Sequence, residues 1–381
     1  MTRAQRTDHT RQRLPEDVES EARIANLESL YDAGQYVEAV ALGESICGLA
    51  VSGHLRGQIA LLLALAYIQL GRPDPARAPL AQAREHFEAI PDAEMTVECC
   101  AAEAALACLE QRPEALQLAM HALKACRSLK TVPRALEVRI LSSLASAQLV
   151  AGQMSDAIRT FEEAIKRTDP VVDMRRLGRL LGNAGVAYHH LGQREKAVRC
   201  STRAVALFQT LDDVVSLARE ENNLGYYLIA SGELTSARRH LERSLDLFEK
   251  TNLRSSRSLL LLSLCELSLA EGDLEQAIAH ADAAIDAGES QDEPWSTADA
   301  RMWKGRLLER RGDNAGADDE FQRAQTILEN APLTDRLAEC HAGYAEMLER
   351  RGDLPGAYAH LKAAFHISAG RSHNCSDQLP G

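Results

Sequence analysis

Apolar residues recur at three-four spacing along most of the chain. Around Gly192 they fall at Leu180, Leu181, Ala184, Ala187, Tyr188 and Leu191, then at Ala197, Val198, Ala204, Val205 and Phe208. This spacing lays an apolar stripe along one side of a helix with 3.6 residues per turn. It predicts an amphipathic helix on each side of the glycine. No alternating run long enough for a useful strand occurs, so the chain is expected to be all-α.

The same pattern returns at a fixed interval. A glycine followed five residues later by an alanine occurs at Gly34/Ala39, Gly71/Ala76, Gly152/Ala157, Gly192/Ala197, Gly232/Ala237, Gly272/Ala277, Gly312/Ala317 and Gly352/Ala357. From Gly152 onward the interval is a strict 40 residues. One further unit is expected between Gly71 and Gly152, with Glu110 in the glycine slot before Ala115. The count is then nine units, each of two helices around a turn. The glycine ends the first helix in a left-handed conformation that L-residues avoid. The alanine is small because two helices cross closely there.

Asn183-Ala-Gly185-Val-Ala-Tyr188-His-His-Leu-Gly192 and Asn223-Leu-Gly225-Tyr-Tyr-Leu-Ile-Ala-Ser-Gly232 resemble the first helix of a tetratricopeptide repeat. The small residue, the tyrosine, the turn glycine and the later alanine stand at that family's spacings. The resemblance implies a right-handed α-solenoid of about nine helix-turn-helix units. Forty-residue units, longer than the family's usual 34, with the junction Leu207-Phe208-Gln-Thr-Leu211-Asp212-Asp213 are similar to those of bacterial signalling regulators. These include Rap-type peptide sensors and large transcriptional activators. In many of them a helix-turn-helix domain precedes the repeats, and no such domain is expected here. Residues 1–20, with Arg3, Arg6, Arg11, Arg13 and Pro15, read as a flexible basic arm, 21–369 as the superhelical domain and 370–381 as a disordered tail.

Composition narrows the function classes. Of 381 residues 45% are apolar and 26% charged, which argues against a disordered chain, and the net charge of −12 argues against a broad cationic face for nucleic acid. No run of 18 apolar residues and no secretory apolar core are present, so no membrane association is expected. Nine cysteines without a Cys-x-x-Cys pair fit a reducing cytoplasm.

The resembled fold lines its concave side with the first helices. Counting 13, 10, 6 and 3 residues back from each turn glycine gives the inward slots. These are Arg139, Ser142, Ser146 and Leu149 before Gly152, and Arg179, Gly182, Val186 and His189 before Gly192, with Asn183 adjacent. Before Gly232 they are Arg219, Asn222, Tyr226 and Ile229, with Asn223 adjacent. Arginine thus holds one slot in three consecutive units. A guanidinium grips a carboxylate through paired N–H bonds, and an Asn amide bonds both groups of a peptide backbone. The expected ligand is an extended peptide or protein segment held by Arg139, Arg179, Asn183, Val186, His189, Arg219, Asn222, Asn223 and Tyr226. The competing reading pairs these arginines with carboxylates of neighbouring helices, such as Glu220 or Glu221, and gives Asn183 and Asn223 to repeat packing. Further along, the slots turn apolar (Leu259, Leu262, Leu269), then mixed (Asp299, Met302, Arg306, Glu309) and acidic (Glu339, Glu346, Glu349).

Motifs for chemistry are missing: no phosphate-binding loop, no Gly-x-Ser-x-Gly and no His-Glu-x-x-His. His189 and His190 diverge around a helix, and Cys99, Cys100 and Cys108 read as filler in an alanine-rich helix. Trp295 and Trp303 read as packing residues. The expectation is a non-catalytic regulator or scaffold without cofactor or metal. A passive adaptor working through its outer or acidic C-terminal surface is the alternative. A separate regulatory or DNA-binding subunit could act with it in trans, and the apolar residues Tyr358, Leu361, Phe365 and Ile367 leave room for a homodimer through the last helix.

Overall fold

The computed structural model describes residues 15–48, 53–89, 92–110, 112, 114–251, 257–331 and 333–376, and side chains from residue 22 to 368 within them except 251, 334 and 335. All regular structure among these residues is helical. The chain divides into two compact units, Met1–Gly192 and Gln193–Gly381.

In unit 1, α1 (Pro15–Asp32) pairs with α2 (Tyr36–Ile46), α3 (Gly53–Gln69) with α4 (Pro73–Ala89), α5 (Ala93–Leu109) with α6 (Ala115–Arg127), and α7 (Arg134–Val150) with α8 (Met154–Arg167), and α9 (Met174–His190) follows. Unit 2 begins with α10 (Arg194–Thr210). There α11 (Val214–Ala230) pairs with α12 (Leu234–Thr251), α13 (Arg257–Ala270) with α14 (Leu274–Ser290), α15 (Pro294–Arg311) with α16 (Asn314–Asn330), and α17 (Thr334–Arg350) with α18 (Leu354–Ser376). Within each unit the first helix of one pair also touches the first helix of the next: α1 to α3, α3 to α5, α5 to α7 and α7 to α9 in unit 1, and α11 to α13, α13 to α15 and α15 to α17 in unit 2. The first helices therefore share one face, as the expected solenoid requires.

The start of α1 at Pro15 makes residues 15–20 helical rather than part of the arm, and α18 extends through 370–376 of the tail. Residues 1–14 and 377–381 lie outside the described residues.

All eight turn glycines have positive φ, between 70° and 91°. At Gly152 the geometry shows why. Its N–H donates to Leu149 C=O and the next N–H, of Gln153, reaches back to Gln148 C=O, closing two orphan carbonyls of α7. The alanines five residues on are all buried, from Ala39 to Ala357.

The unit between Gly71 and Gly152 is present, but Glu110 is not its glycine equivalent. Glu110 is right-handed (φ −80°, ψ 0°), and the closing bond runs from Arg112 N–H to Ala107 C=O, as Gln153 to Gln148 does. The equivalent of the glycine is therefore position 111, which lies outside the described residues. An ion pair supports this register. Arg77, six residues after Gly71, bonds Glu110 (Nε to Oε1 2.7 Å), and Arg238, six after Gly232, bonds Glu271, the residue before Gly272. Between Asp318 and Arg351 the same pair occurs with its charges exchanged, at 2.7 Å.

Small residues seven positions before the turn let the two helices of a pair approach. A Cβ on Gly225 would lie 2.6 Å from Leu241, and one on Gly305 would lie 2.8 Å from Phe321. Tyrosines join successive pairs: Tyr188 donates to Glu162 on α8 at 2.6 Å, and Tyr67 donates to the corresponding Glu44 on α2.

Candidate functional site

In each unit several of the inward slots border a cavity. In unit 1 a cavity of 200 Å³ is lined by Glu28, Tyr31, Gln58, Leu61, Leu65, Glu98 and Arg139, which the slot rule selects once position 111 is taken as the turn, and by Asp32, Leu62 and Met95, which it does not. Arg139 is half-buried and ion-paired to the buried Glu98. Desolvation holds its guanidinium below the usual arginine range. Arg179 donates to Tyr36 Oη at 2.8 Å and to Gln69 Oε1. Its neighbour Arg175 lies against Gly34, where even a Cβ would come within 2.5 Å of the guanidinium. Thus α9 reaches across the inner face to the α1–α2 turn and the end of α3. Both predicted arginines of this unit already have protein partners, which for Arg139 is a carboxylate on a neighbouring first helix.

The other predicted residues of α9 are spread around it. Asn183 is exposed, Val186 and His189 are half-buried, and the rings of His189 and His190 stand 6.2 Å apart at 69°.

In unit 2, α11 carries Arg219, Asn222, Asn223 and Tyr226, all half-buried. The buried Oδ1 of Asn222 accepts no hydrogen bond from any described residue. Asn223 donates to Glu220 at 3.3 Å. Burial pushes the Tyr226 hydroxyl up to about 12, with Glu266 on α13 adding to the effect. Glu266 itself is pushed up to about 7 by burial, against the opposing field of Arg306. Glu220 and Glu221 do not take up the arginine ladder. Glu220 accepts from Ser201 and Asn223, and Glu221 pairs with His240 at 2.6 Å and Arg243 at 2.9 Å.

Nor is the end of the face simply acidic. Arg336 sits 3.0 Å from Glu339 and 3.5 Å from Asp299, and Arg350 holds Glu309 at 2.7 Å. Met302 and Leu262 are buried in the core and do not line the face. Glu346 and Glu349 are exposed. A second cavity, of 620 Å³, lies here among α13, α15 and α17.

Models of the tetratricopeptide repeat match residues 176–250, 222–294, 269–332 and 338–363. Over these stretches the chain carries tetratricopeptide repeats. Among solved structures, a Rap protein crystallised with competence and sporulation factor superposes with a TM-score of 0.71 at 15% identity, over 94% of this chain and 99% of that one. The apo form of the quorum sensor NprR from B. thuringiensis gives 0.64 at 14%, over 92% and 99%. Aspartyl phosphate phosphatase F from Bacillus subtilis gives 0.58 at 12%, over 97% and 96%. At these identities the likeness is one of fold. No curated protein sequence matches the chain.

Seen as tetratricopeptide repeats, the residues that the slot count missed are explained. Glu98 and Gln58 occupy the arginine slot of their own units, and Glu98 was hidden because no glycine marks its turn. Tyr36 and Gln69, which hold Arg179, lie more than a hundred residues away, and no spacing rule reaches them. Trp303 packs beside the core, as expected of a repeat residue, and it also lines the second cavity, with Arg306 over its ring at 5.7 Å. Among the described residues no three His, Cys, Asp or Glu side chains converge as a metal ion would need. Burial pushes the thiols of Cys99, Cys108, Cys265 and Cys340 up to about 12. No described helix is long and apolar enough to cross a membrane.

Proposed function

We propose that this chain is a non-catalytic regulatory scaffold that binds an extended peptide or protein segment along the inner face of its first helices. Asn222 carries the reading. Its side-chain oxygen is buried on that face with no donor among the described residues, and an unmet buried acceptor costs about 1–3 kcal/mol unless a ligand N–H satisfies it. Beside it on the same helix stand Arg219 and Tyr226, both half-buried. The fold shared with a Rap protein crystallised with competence and sporulation factor supports a peptide as the occupant. In unit 1, Arg139 and Arg179 would join in binding only by exchanging their present partners for the ligand.

Capture of partners and short peptides from native lysate, read by mass spectrometry, tests this. Asn222→Ala and Arg219→Ala should release a peptide or tail that wild type retains, while Asn183→Ala, on the exposed side of α9, should not. Equal retention by all of these variants would reject the inner face as the binding site.

A passive adaptor is the second reading. It is favoured by the stripe Leu354, Tyr358, Leu361 and Phe365 on α18, each half or more exposed. Partners of that stripe should be lost on Phe365→Ser, and partners of an acidic C-terminal surface on charge reversal at Glu339, Glu346 and Glu349, with the Asn222 variant behaving as wild type. This stripe is also where a homodimer would form.

A further inference from the structure

Helices α16, α17 and α18 bring three polar side chains to one point. The Nδ1 atoms of His341 on α17 and His360 on α18 lie 2.9 Å apart, and the amide nitrogen of Gln325 on α16 stands 3.3 Å from the first and 3.5 Å from the second. A neutral imidazole offers one N–H and one lone pair. Nδ1 facing Nδ1 therefore leaves two choices. Either the rings adopt different tautomers and share one hydrogen, or both carry it at Nε2 and two lone pairs meet.

The cluster is supported from the core. Tyr344, three residues after His341 on α17, is buried and stacks on the buried Phe321 ring at 5.0 Å. The Tyr344 ring also packs against His360, with 4.4 Å between ring centres. Phe321 stands one turn before Gln325 on α16. Gln325, His341 and His360 are each half-buried, so solvent reaches them. Burial lowers both histidines, and the neighbouring ring lowers His341 further, so near pH 7 both are neutral and keep a lone pair. Against this, Glu329, one turn beyond Gln325, sets a field that favours positive charge at His341.

Two imidazole nitrogens so close form a chelating pair. At a metal–nitrogen distance of about 2.0 Å, atoms 2.9 Å apart subtend about 90° at the ion. That is the angle between neighbouring corners of a square or octahedron, narrower than the tetrahedral angle of a structural zinc site. We infer that Gln325, His341 and His360 form an open site for a late divalent transition-metal ion, Ni²⁺ or Cu²⁺. The two Nδ1 atoms are its first ligands. The Gln325 amide, turned over so that its oxygen faces the ion, is the third, and water fills the remaining positions. Among the described residues no third His, Cys, Asp or Glu converges there, so the site is no closed cage. A bound ion fastens α18 to α16 and α17.

The untagged full chain is titrated with NiCl₂ by calorimetry and with CuSO₄ by electron paramagnetic resonance. The chain has 12 histidines, so the site is read as the binding lost in named variants. One equivalent of Ni²⁺ should bind with a Kd of about 10 μM or tighter. His341→Ala and His360→Ala should each weaken it by about tenfold or more, and bound Cu²⁺ should lose one nitrogen coupling in each variant. Gln325→Ala should weaken it less, and His366→Ala, on the exposed side of α18, not at all. Circular dichroism shows that each variant is folded, and His360→Gln, which keeps a polar neighbour for His341, replaces an alanine variant that is not. In wild type, Ni²⁺ should slow amide exchange in α18 by about tenfold, and in His360→Gln it should not. No saturable Ni²⁺ or Cu²⁺ binding below about 1 mM, or binding that folded His341 and His360 variants leave unchanged, would overturn the assignment.

Discussion

Glu220 shows what a single buried side chain contributes. Its carboxyl is buried between α10 and α11, with Ser201 and Asn223 as donors and no ion pair to any described cation, and burial pushes it up to about 7. The unfolded chain titrates this group near the ordinary glutamate value, so between that value and 7 the folded state binds more protons. Stability should therefore fall as pH rises through this window. Glu220→Gln keeps an acceptor for Ser201 and removes the charge. It should raise stability at pH 8 by up to about 3 kcal/mol and change little near pH 4, as denaturant melts at the two pH values would show. At Gly152 the issue is backbone rather than charge. Nothing lies within 4 Å of a Cβ placed there, yet φ is +73°. Gly152→Ala should cost about 1–2 kcal/mol through the left-handed backbone alone. The role of these glycines was legible in the sequence because a positive φ at a helix end is a local demand. The partners of Arg139 and Arg179 were not, because a long side chain chooses among groups that only the fold brings near.

For helices and turns, local rules predicted most of what is found. Each glycine turn, each buried alanine and each small residue seven positions upstream follows from how two helices close on one another. The one misplaced turn, at Glu110 rather than position 111, arose where the glycine was replaced and alanine spacing was the only guide. Helix α18 holds an arrangement with no sequence signal. The Nδ1 atoms of His341 and His360 lie 2.9 Å apart, Gln325 approaches both, and the Tyr344 ring is 4.4 Å from that of His360. Burial lowers both histidines, with their mutual repulsion acting on His341 against a small opposing pull from Glu329. Between their folded values and the ordinary value the unfolded chain binds more protons, so stability there falls as pH drops. Amide exchange in α18 should accelerate on acidification below about pH 6.5, and His360→Gln should flatten that response.

For the molecule as a whole, a stack in which each pair touches mainly its neighbours gains stability as a sum of local terms. Unit 2 fits this description. Unit 1 adds a long-range closure, since Arg175 and Arg179 of α9 reach the turn after α1 and the end of α3. Most of the residues around the unit 1 cavity could be reached by slot counting. The meeting of Gln325, His341 and His360 could not, because it depends on which side chains three successive helices bring to one point. The closure has a mechanical meaning. Under tension a linear stack sheds its outermost pair first and lengthens in small steps, as unit 2 should when drawn out from α18. A stack whose first and last members grip each other has no free outermost pair. Pulled in an optical trap, unit 1 should hold until the grip of α9 fails and then extend in one large step, and Arg179→Ala should break that step into smaller ones. Those few hydrogen bonds turn a spring into a buckle.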